Sequence, residues 1–109
     1  KWLKEAGVDL VDCSSGGANP SARASIGNHT QKQPELAGQL RAGSGLMTMA
    51  VGCITDAKQA EDIVASGKAD IVLMARQFIR EPYWAFNAAK QLGVDTKPIM
   101  PIQNGFYVG

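Results

Sequence analysis

The sequence has 109 residues, a hydrophobic share of 45%, a charged share of 19% and a formal net charge of +1 at pH 7. This composition excludes an intrinsically disordered chain, and the near-neutral charge gives no long-range field for nucleic acid or an anionic membrane surface. No apolar run approaches the roughly 18 residues of a membrane-spanning helix. Cys13 and Cys53 are too few for a disulfide framework or a CxxC metal site. We therefore expect a soluble cytoplasmic protein without a bound metal.

The first residues have the pattern of the last turn of a helix, with Gly7 at the position where a left-handed glycine ends it. The chain starts without Met and without the apolar core of a signal peptide, and we expect it to be a piece of a larger protein. Residues 8–11 form a short β-prone run. The polar stretch 18–33 predicts a long loop, and long ordered loops tend to be functional.

The middle of the chain predicts a helix, a strand and a second helix. Pro34 suits the first position of a helix, and the nearly all-apolar run 46–51 predicts a strand covered on both faces. Asp56 is a good N-cap for the next helix, and Gln59 completes a capping-box-like pair with it. Gly67 is expected to end this helix.

The last third predicts one more strand and two helices. Asp70 opens a run, 70–74 (DIVLM), that has no polar alternation and predicts a strand. Residues 76–80 predict a short helix, and Pro82 predicts the beginning of a longer helix that ends at Gly93. Buried strands that alternate with helices indicate an α/β protein with a parallel sheet. Three strands cannot close a barrel, since a complete (β/α)₈ barrel takes roughly 250 residues. The pattern fits the last three-eighths of a TIM barrel.

Small residues follow each predicted strand, in the segments 13–17, 51–53 and 75–76. Ligands of parallel α/β proteins bind beyond the carboxyl ends of the strands, where backbone N–H groups and helix N-termini can hold an anion. Arg76 adds a guanidinium group suited to phosphate. Alternatively, the glycines only permit turns and Arg76 is a solvated helix residue. The three segments together favour the phosphate site.

Four segments carry distinctive motifs: 7–17 (GVDLVDCSSGG), 48–55 (TMAVGCIT), 69–84 (ADIVLMARQFIREPYW) and 101–103 (PIQ). In these segments the chain resembles the YqjM-like branch of the old yellow enzyme family. In that family the first three correspond to the sixth strand, the seventh strand, and the eighth strand with its following helix. The order and spacing agree over nearly the whole chain. The resemblance implies that residues 1–109 are the C-terminal part, about strands 6–8 and their helices, of a single FMN-binding TIM-barrel domain.

The resemblance also implies an activity, an FMN-dependent ene-reductase. NADPH or NADH reduces the flavin, which passes hydride to the β-carbon of an α,β-unsaturated carbonyl compound, while the protein binds and orients the cofactor. Carried over by position, Gly52 and Ala75 would offer backbone N–H groups to the FMN phosphate. Arg76 would pair with the phosphate or lie near the flavin ring, and Ser14 would line the same pocket.

The resemblance further implies that the catalytic side chains lie elsewhere. The family's substrate-carbonyl donors, proton-donating Tyr and redox-tuning Cys belong to the first part of the barrel. We therefore expect no catalytic residue in this segment and no activity from it alone. We expect a homo-oligomer of the full-length protein, although Phe106 stands where relatives have an Arg that reaches into the neighbouring subunit.

Two other functions fit the same features. One is a phosphate-binding barrel enzyme without flavin, and the other is a non-catalytic βα module that binds a partner. Simpler roles are expected for the remaining candidate residues: a solvated loop position for His29, and buried small apolar side chains for Cys13 and Cys53. For Tyr83 and Trp84 we expect packing in the core rather than stacking on a substrate.

Overall fold

A computed structural model describes residues 1–14, 33–101 and 103. These residues form a three-stranded sheet in the order β1-β2-β3, with both pairs of strands parallel. The elements are α1 (Trp2–Glu5), β1 (Leu10–Cys13), α2 (Gln33–Ser44), β2 (Met47–Val51), α3 (Ala57–Ala65), β3 (Ile71–Leu73), α4 (Arg76–Arg80), α5 (Trp84–Gln91) and a 3₁₀ helix, Lys97–Ile99. The prediction of a parallel α/β sheet is confirmed, and the carboxyl ends of the three strands lie at one edge.

Helix α3 begins and ends as its sequence predicts. The side chain of Asp56 accepts a hydrogen bond from the backbone N–H of Gln59 at 3.0 Å, so it caps the first turn. Gly67 follows the helix with a φ of 74°, and the backbone N–H of Lys68 donates to the carbonyl of Ile63 at 3.0 Å. This pair of features is a Schellman motif, which requires a left-handed residue and therefore favours glycine.

The first strand begins later than its sequence predicts. The β-prone run starts at Val8, but β1 starts at Leu10. The backbone N–H of Val8 donates to the carbonyl of Leu3 at 2.9 Å, as part of a Schellman motif around Gly7 that ends α1. The N–H of Val8 is therefore not available for a strand, and β1 is displaced towards Cys13. The predicted loop 18–33 lies outside the described residues, except that Gln33 begins α2.

The core lies between one face of the sheet and the helices. Its buried members are mostly small: Ala37, Ala50, Ile54, Ala57, Ala60, Ile63, Ala69, Trp84 and Ala88. On β2 the side chains of Thr48 and Ala50 are fully buried, whereas Met47 is 53% exposed. Side chains alternate between the faces of a strand, so Met47 belongs to the opposite face, which no described helix covers. The prediction that this strand is covered on both faces is wrong for the described residues.

Candidate functional site

A pocket of about 360 Å³ lies at the carboxyl ends of β2 and β3. One wall is the segment 51–55 that follows β2, and the other is the segment 73–77 together with Arg80 of α4. The structure therefore brings three of the predicted site residues to one pocket, namely Gly52, Ala75 and Arg76. Their convergence follows from the parallel pairing, which places the ends of neighbouring strands side by side.

Ser14 is placed apart from this group. It is the first residue after β1, and it lines a smaller pocket of about 230 Å³ between β1 and α2, with Cys13, Leu36 and Leu40 among its neighbours. The displacement of β1 puts Ser14 directly at the end of the strand. The described residues do not place it in the pocket of Arg76.

The segment after β2 turns sharply. Gly52 has a φ of 104° and Cys53 a φ of 53°, so two consecutive residues adopt left-handed conformations. For a residue with a Cβ atom this conformation is unfavourable by roughly 1–2 kcal/mol. The turn exposes Cys53 at the pocket, and the prediction that this cysteine is buried is wrong.

Side chains from two helices fix this turn. The Gln59 side chain accepts a hydrogen bond from the backbone N–H of Thr55 at 3.2 Å and donates one to the carbonyl of Cys53 at 3.1 Å. The indole N–H of Trp84, on α5, donates to the carbonyl of Thr55 at 3.0 Å. The sequence predicts a capping role for Gln59 and a core role for Trp84, but it does not predict their hydrogen bonds to the turn. The available signal was the indole N–H, which needs an acceptor when it is buried.

The pocket has an excess of positive charge. Arg76 and Arg80 are exposed, stand one helical turn apart on α4 and both line the pocket. Within residues 1–14 and 33–101, neither guanidinium has an acidic partner. The adjacent carboxylate, that of Glu81, instead accepts hydrogen bonds from the amides of Asn87 and Gln77. The two arginines are therefore available to an anion.

The two helices beside the pocket begin differently. The first turn of α3 is capped by the carboxylate of Asp56, whereas Ala75, at the beginning of α4, makes no side-chain cap hydrogen bond. The sequence suggested that both helix beginnings contribute to an anion site. At α3 the protein supplies its own negative group, the carboxylate of Asp56. Of the two helix beginnings beside the pocket, only that of α4 lacks a side-chain cap in the described part of the chain.

Another cleft, of about 430 Å³, lies between α2 and α3. Two ion pairs line it: Lys68 contacts Glu35 at 3.0 Å, and Lys58 contacts Asp62 at 3.5 Å. The carboxylate of Asp56, which caps α3, adds a further negative charge. The hydrogen bond and charge of Lys68 lower the pKa of Glu35. The lining thus has more carboxylates than ammonium groups and does not favour an anion, in contrast to the pocket of Arg76.

The other candidate residues do not form a reactive centre in the described part of the chain. Burial and the neighbouring charge of Asp12 raise the pKa of the Cys13 thiol, which keeps it protonated and weakly nucleophilic. Tyr83 is 72% exposed, so its predicted core position is wrong, whereas Trp84 is buried as predicted.

No group of three potential metal ligands occurs among the described residues. None of the described helices has both the length and the apolar character of a membrane-spanning segment. His29 and Phe106 lie outside the described residues.

Comparison with known proteins gives consistent matches. The chain is similar to proteins named NADPH dehydrogenase: 46% identical over 103 residues in Bacillus licheniformis, 42% over 106 in Geobacillus thermodenitrificans and 39% over 106 in Bacillus subtilis. These alignments cover 94%, 97% and 97% of this chain but only 29%, 30% and 30% of the relatives, so the chain spans less than a third of their length. The model of the NADH:flavin oxidoreductase / NADH oxidase family matches residues 1–95. The resemblance inferred from the sequence motifs is thereby confirmed, and the chain belongs to the NADH:flavin oxidoreductase / NADH oxidase family.

Proposed function

We propose that this chain is the phosphate-holding part of an FMN-dependent NAD(P)H oxidoreductase. The observation that carries the proposal is the pair of arginines beside the turn at Gly52, Arg76 and Arg80, in a member of a flavin oxidoreductase family. Among the described residues neither arginine has an acidic partner. In this proposal the Arg76 guanidinium pairs with the phosphate. Gly52 and Ala75 offer it backbone N–H groups.

The residues present suit a phosphate monoester. Such a group carries a charge of about −1.5 to −2 at neutral pH and has three strong acceptor oxygens. Two guanidinium groups match this charge, and each can donate two parallel hydrogen bonds. The pocket volume of about 360 Å³ lies in the usual range for small-molecule sites, about 300–1,000 Å³. The shape and charge of the site thus support the binding of the phosphate end of a nucleotide cofactor.

The chemistry that FMN supplies when bound is hydride transfer, from NADPH or NADH to the β-carbon of an α,β-unsaturated carbonyl compound. The role of residues 1–109 in this proposal is to bind and orient, by neutralising the phosphate and fixing its position. The substrate-binding and proton-donating groups would come from the rest of a single TIM-barrel domain, of which β1, β2 and β3 would be about the sixth to eighth strands. A homo-oligomeric assembly and a cytoplasmic location stay predictions from the sequence.

Replacement of Arg76 tests the phosphate contact directly. In the full-length protein we expect Arg76→Ala to weaken FMN binding by roughly 1.5–3 kcal/mol, the usual size of a hydrogen bond to a charged group. The measurement is a titration of the apoprotein with FMN, followed by quenching of flavin fluorescence. Lys90→Ala is the control, because it removes one positive charge from α5 at a position outside the pocket. Equal FMN affinity of Arg76→Ala and the unmodified protein would remove Arg76 from the site.

The absorption spectrum distinguishes this proposal from the alternatives. A phosphate-binding barrel without flavin would also use Gly52 and Arg76, and a non-catalytic βα module would need neither cofactor. We expect the purified full-length protein to show flavin absorption bands and to release FMN on heating. A colourless protein that takes up no added FMN would contradict the proposal and leave the two alternatives.

A further inference from the structure

We propose that Gln59 and Trp84 are positioning residues that hold the turn 52–55 in the conformation that binds the phosphate. This inference rests on the proposed function, since it concerns the same pocket. Neither side chain lies among the predicted site residues. Both act on the backbone of the turn rather than on the ligand.

The oxygen and the nitrogen of the Gln59 side-chain amide both form hydrogen bonds with the backbone of the turn. Its oxygen accepts from the N–H of Thr55 at 3.2 Å, and its nitrogen donates to the carbonyl of Cys53 at 3.1 Å. Only a side chain with a donor and an acceptor on one planar group can make both bonds. The two bonds therefore fix the spacing between the Cys53 carbonyl and the Thr55 N–H, and with it the shape of the turn.

Trp84 bonds to the backbone carbonyl of Thr55, the residue whose N–H is bonded to Gln59. Its indole N–H donates to the carbonyl of Thr55 at 3.0 Å, so both backbone polar groups of Thr55 are bonded to side chains. The ring packs edge-on against Phe78 of α4, with 6.0 Å between ring centroids and an interplanar angle of 78°. Phe78 lies on the helix that carries Arg76. Trp84 thus connects the turn to the helix on the opposite wall of the pocket.

The turn needs such support because its backbone is strained. Gly52 and Cys53 both have positive φ, and a residue with a side chain is disfavoured in that region. Without the bonds from Gln59 and Trp84, the segment is free to relax towards ordinary φ values. The backbone N–H of Gly52, which the proposed function assigns to the phosphate, would then change its position in the pocket. The bonds preorganise the turn before the phosphate arrives.

A pair of ligands separates positioning from general stability. FMN and riboflavin carry the same ring, but riboflavin lacks the phosphate. In the full-length apoprotein we expect Gln59→Leu and Trp84→Phe each to raise the Kd for FMN by about threefold to tenfold, the effect of losing one or two hydrogen bonds. The Kd for riboflavin should stay unchanged. Both dissociation constants are measured by fluorescence titration, without reference to turnover.

Matched controls carry the same substitutions at other places. Gln39→Leu alters an exposed glutamine on α2, and Trp2→Phe alters an exposed tryptophan on α1, both outside the pocket. Neither should change the Kd for FMN. Because Trp84 is buried and Gln59 is exposed, Gln59→Leu decides the matter if Trp84→Phe does not fold.

Two results would overturn the inference. One is an unchanged Kd for FMN in Gln59→Leu, and the other is an equal loss of affinity for FMN and riboflavin, which marks a general structural role. The Arg76→Ala variant is measured alongside them. If it loses FMN affinity while Gln59→Leu does not, the positioning role fails alone. If Arg76→Ala retains full affinity, the proposed phosphate site itself fails.

Discussion

Asp70 joins three elements through one carboxylate. The Arg41 guanidinium of α2 donates to both carboxylate oxygens, at 2.9 and 3.1 Å, and the backbone N–H of Thr48 in β2 donates to one of them at 2.9 Å. These partners lie 29 and 22 positions away in the sequence. The sequence indicated only that Asp70 opens a strand, because hydrophobic patterns report local structure and not such distant partners.

The bonds to Asp70 predict a dependence of stability on pH. The hydrogen bonds from Arg41 and Thr48 lower the pKa of Asp70 below its ordinary value of 3.8. A carboxyl group with a lowered pKa binds its proton less well in the folded state than in the unfolded state. Its contribution to stability is therefore fully present above that ordinary value, and is lost as the pH falls through the lower pKa of the folded protein.

Asp70→Asn removes this contribution while preserving the shape of the side chain. We expect the urea midpoint of the unmodified protein to exceed that of Asp70→Asn at about pH 6, with the difference shrinking towards about pH 3. Urea unfolding at several pH values measures it. A difference that stays constant over this range would show that the charge of Asp70 contributes nothing.

The boundaries of the elements separate what the sequence predicts from what it cannot. The short helix 76–80 is confirmed as α4, and the glycine after α5, Gly93, ends that helix with a φ of 71°. The predicted beginning of α5 is wrong by two residues: the sequence predicts Pro82, but the helix begins at Trp84. The backbone N–H of Trp84 donates to the carbonyl of Glu81 at 3.0 Å, so the residues between form a turn first. Such local choices depend on hydrogen-bond competition that residue types alone do not reveal.

The cap of α3 is an element whose energetic role can be measured. We expect Asp56→Ala to lower the free energy of unfolding by about 1 kcal/mol, since the first turn of the helix loses its side-chain acceptor. Asp62→Ala is the matched control. It removes the same residue type from the same helix, and its exposed ion pair with Lys58 is worth at most about 0.5 kcal/mol. Equal effects of the two variants in urea unfolding would contradict the capping role.

At the scale of the molecule, the parallel sheet is the feature that the sequence predicted most securely. Apolar runs separated by helical patterns leave few other arrangements. The gathering of Gly52, Ala75 and Arg76 followed from that topology alone. The hydrogen bond from Trp84 to the turn did not follow from the topology, because it depends on how α5 packs over α3. Nor could the pattern show that the described helices cover only one face of β2, since a nearly all-apolar strand has the same pattern whether one face or both are covered.

The face of the sheet that no described helix covers has a consequence for the isolated segment. Met49 pairs directly with Ile71, which is 45% exposed, and Leu10 pairs with Met47 on the same face. An apolar face of this kind promotes association, and the edges of a three-stranded sheet can pair with other chains. We expect residues 1–109 alone to self-associate in sedimentation velocity and to show no oxidation of NADPH with an enone. A stable monomer, or measurable turnover, would contradict this expectation.

The spacing of the paired strands has a consequence for the order in which the molecule assembles. Leu10 of β1 pairs with Met47, 37 positions later, whereas Met49 of β2 pairs with Ile71, 22 positions later. Contacts between residues closer in the sequence cost less loop-closure entropy and form sooner. Both walls of the pocket of Arg76 belong to the β2–α3–β3 unit and to α4, the helix that follows it. The proposed phosphate pocket therefore belongs to the most local strand pairing of the described residues, and we expect β2 and β3 to pair before β1 joins the sheet.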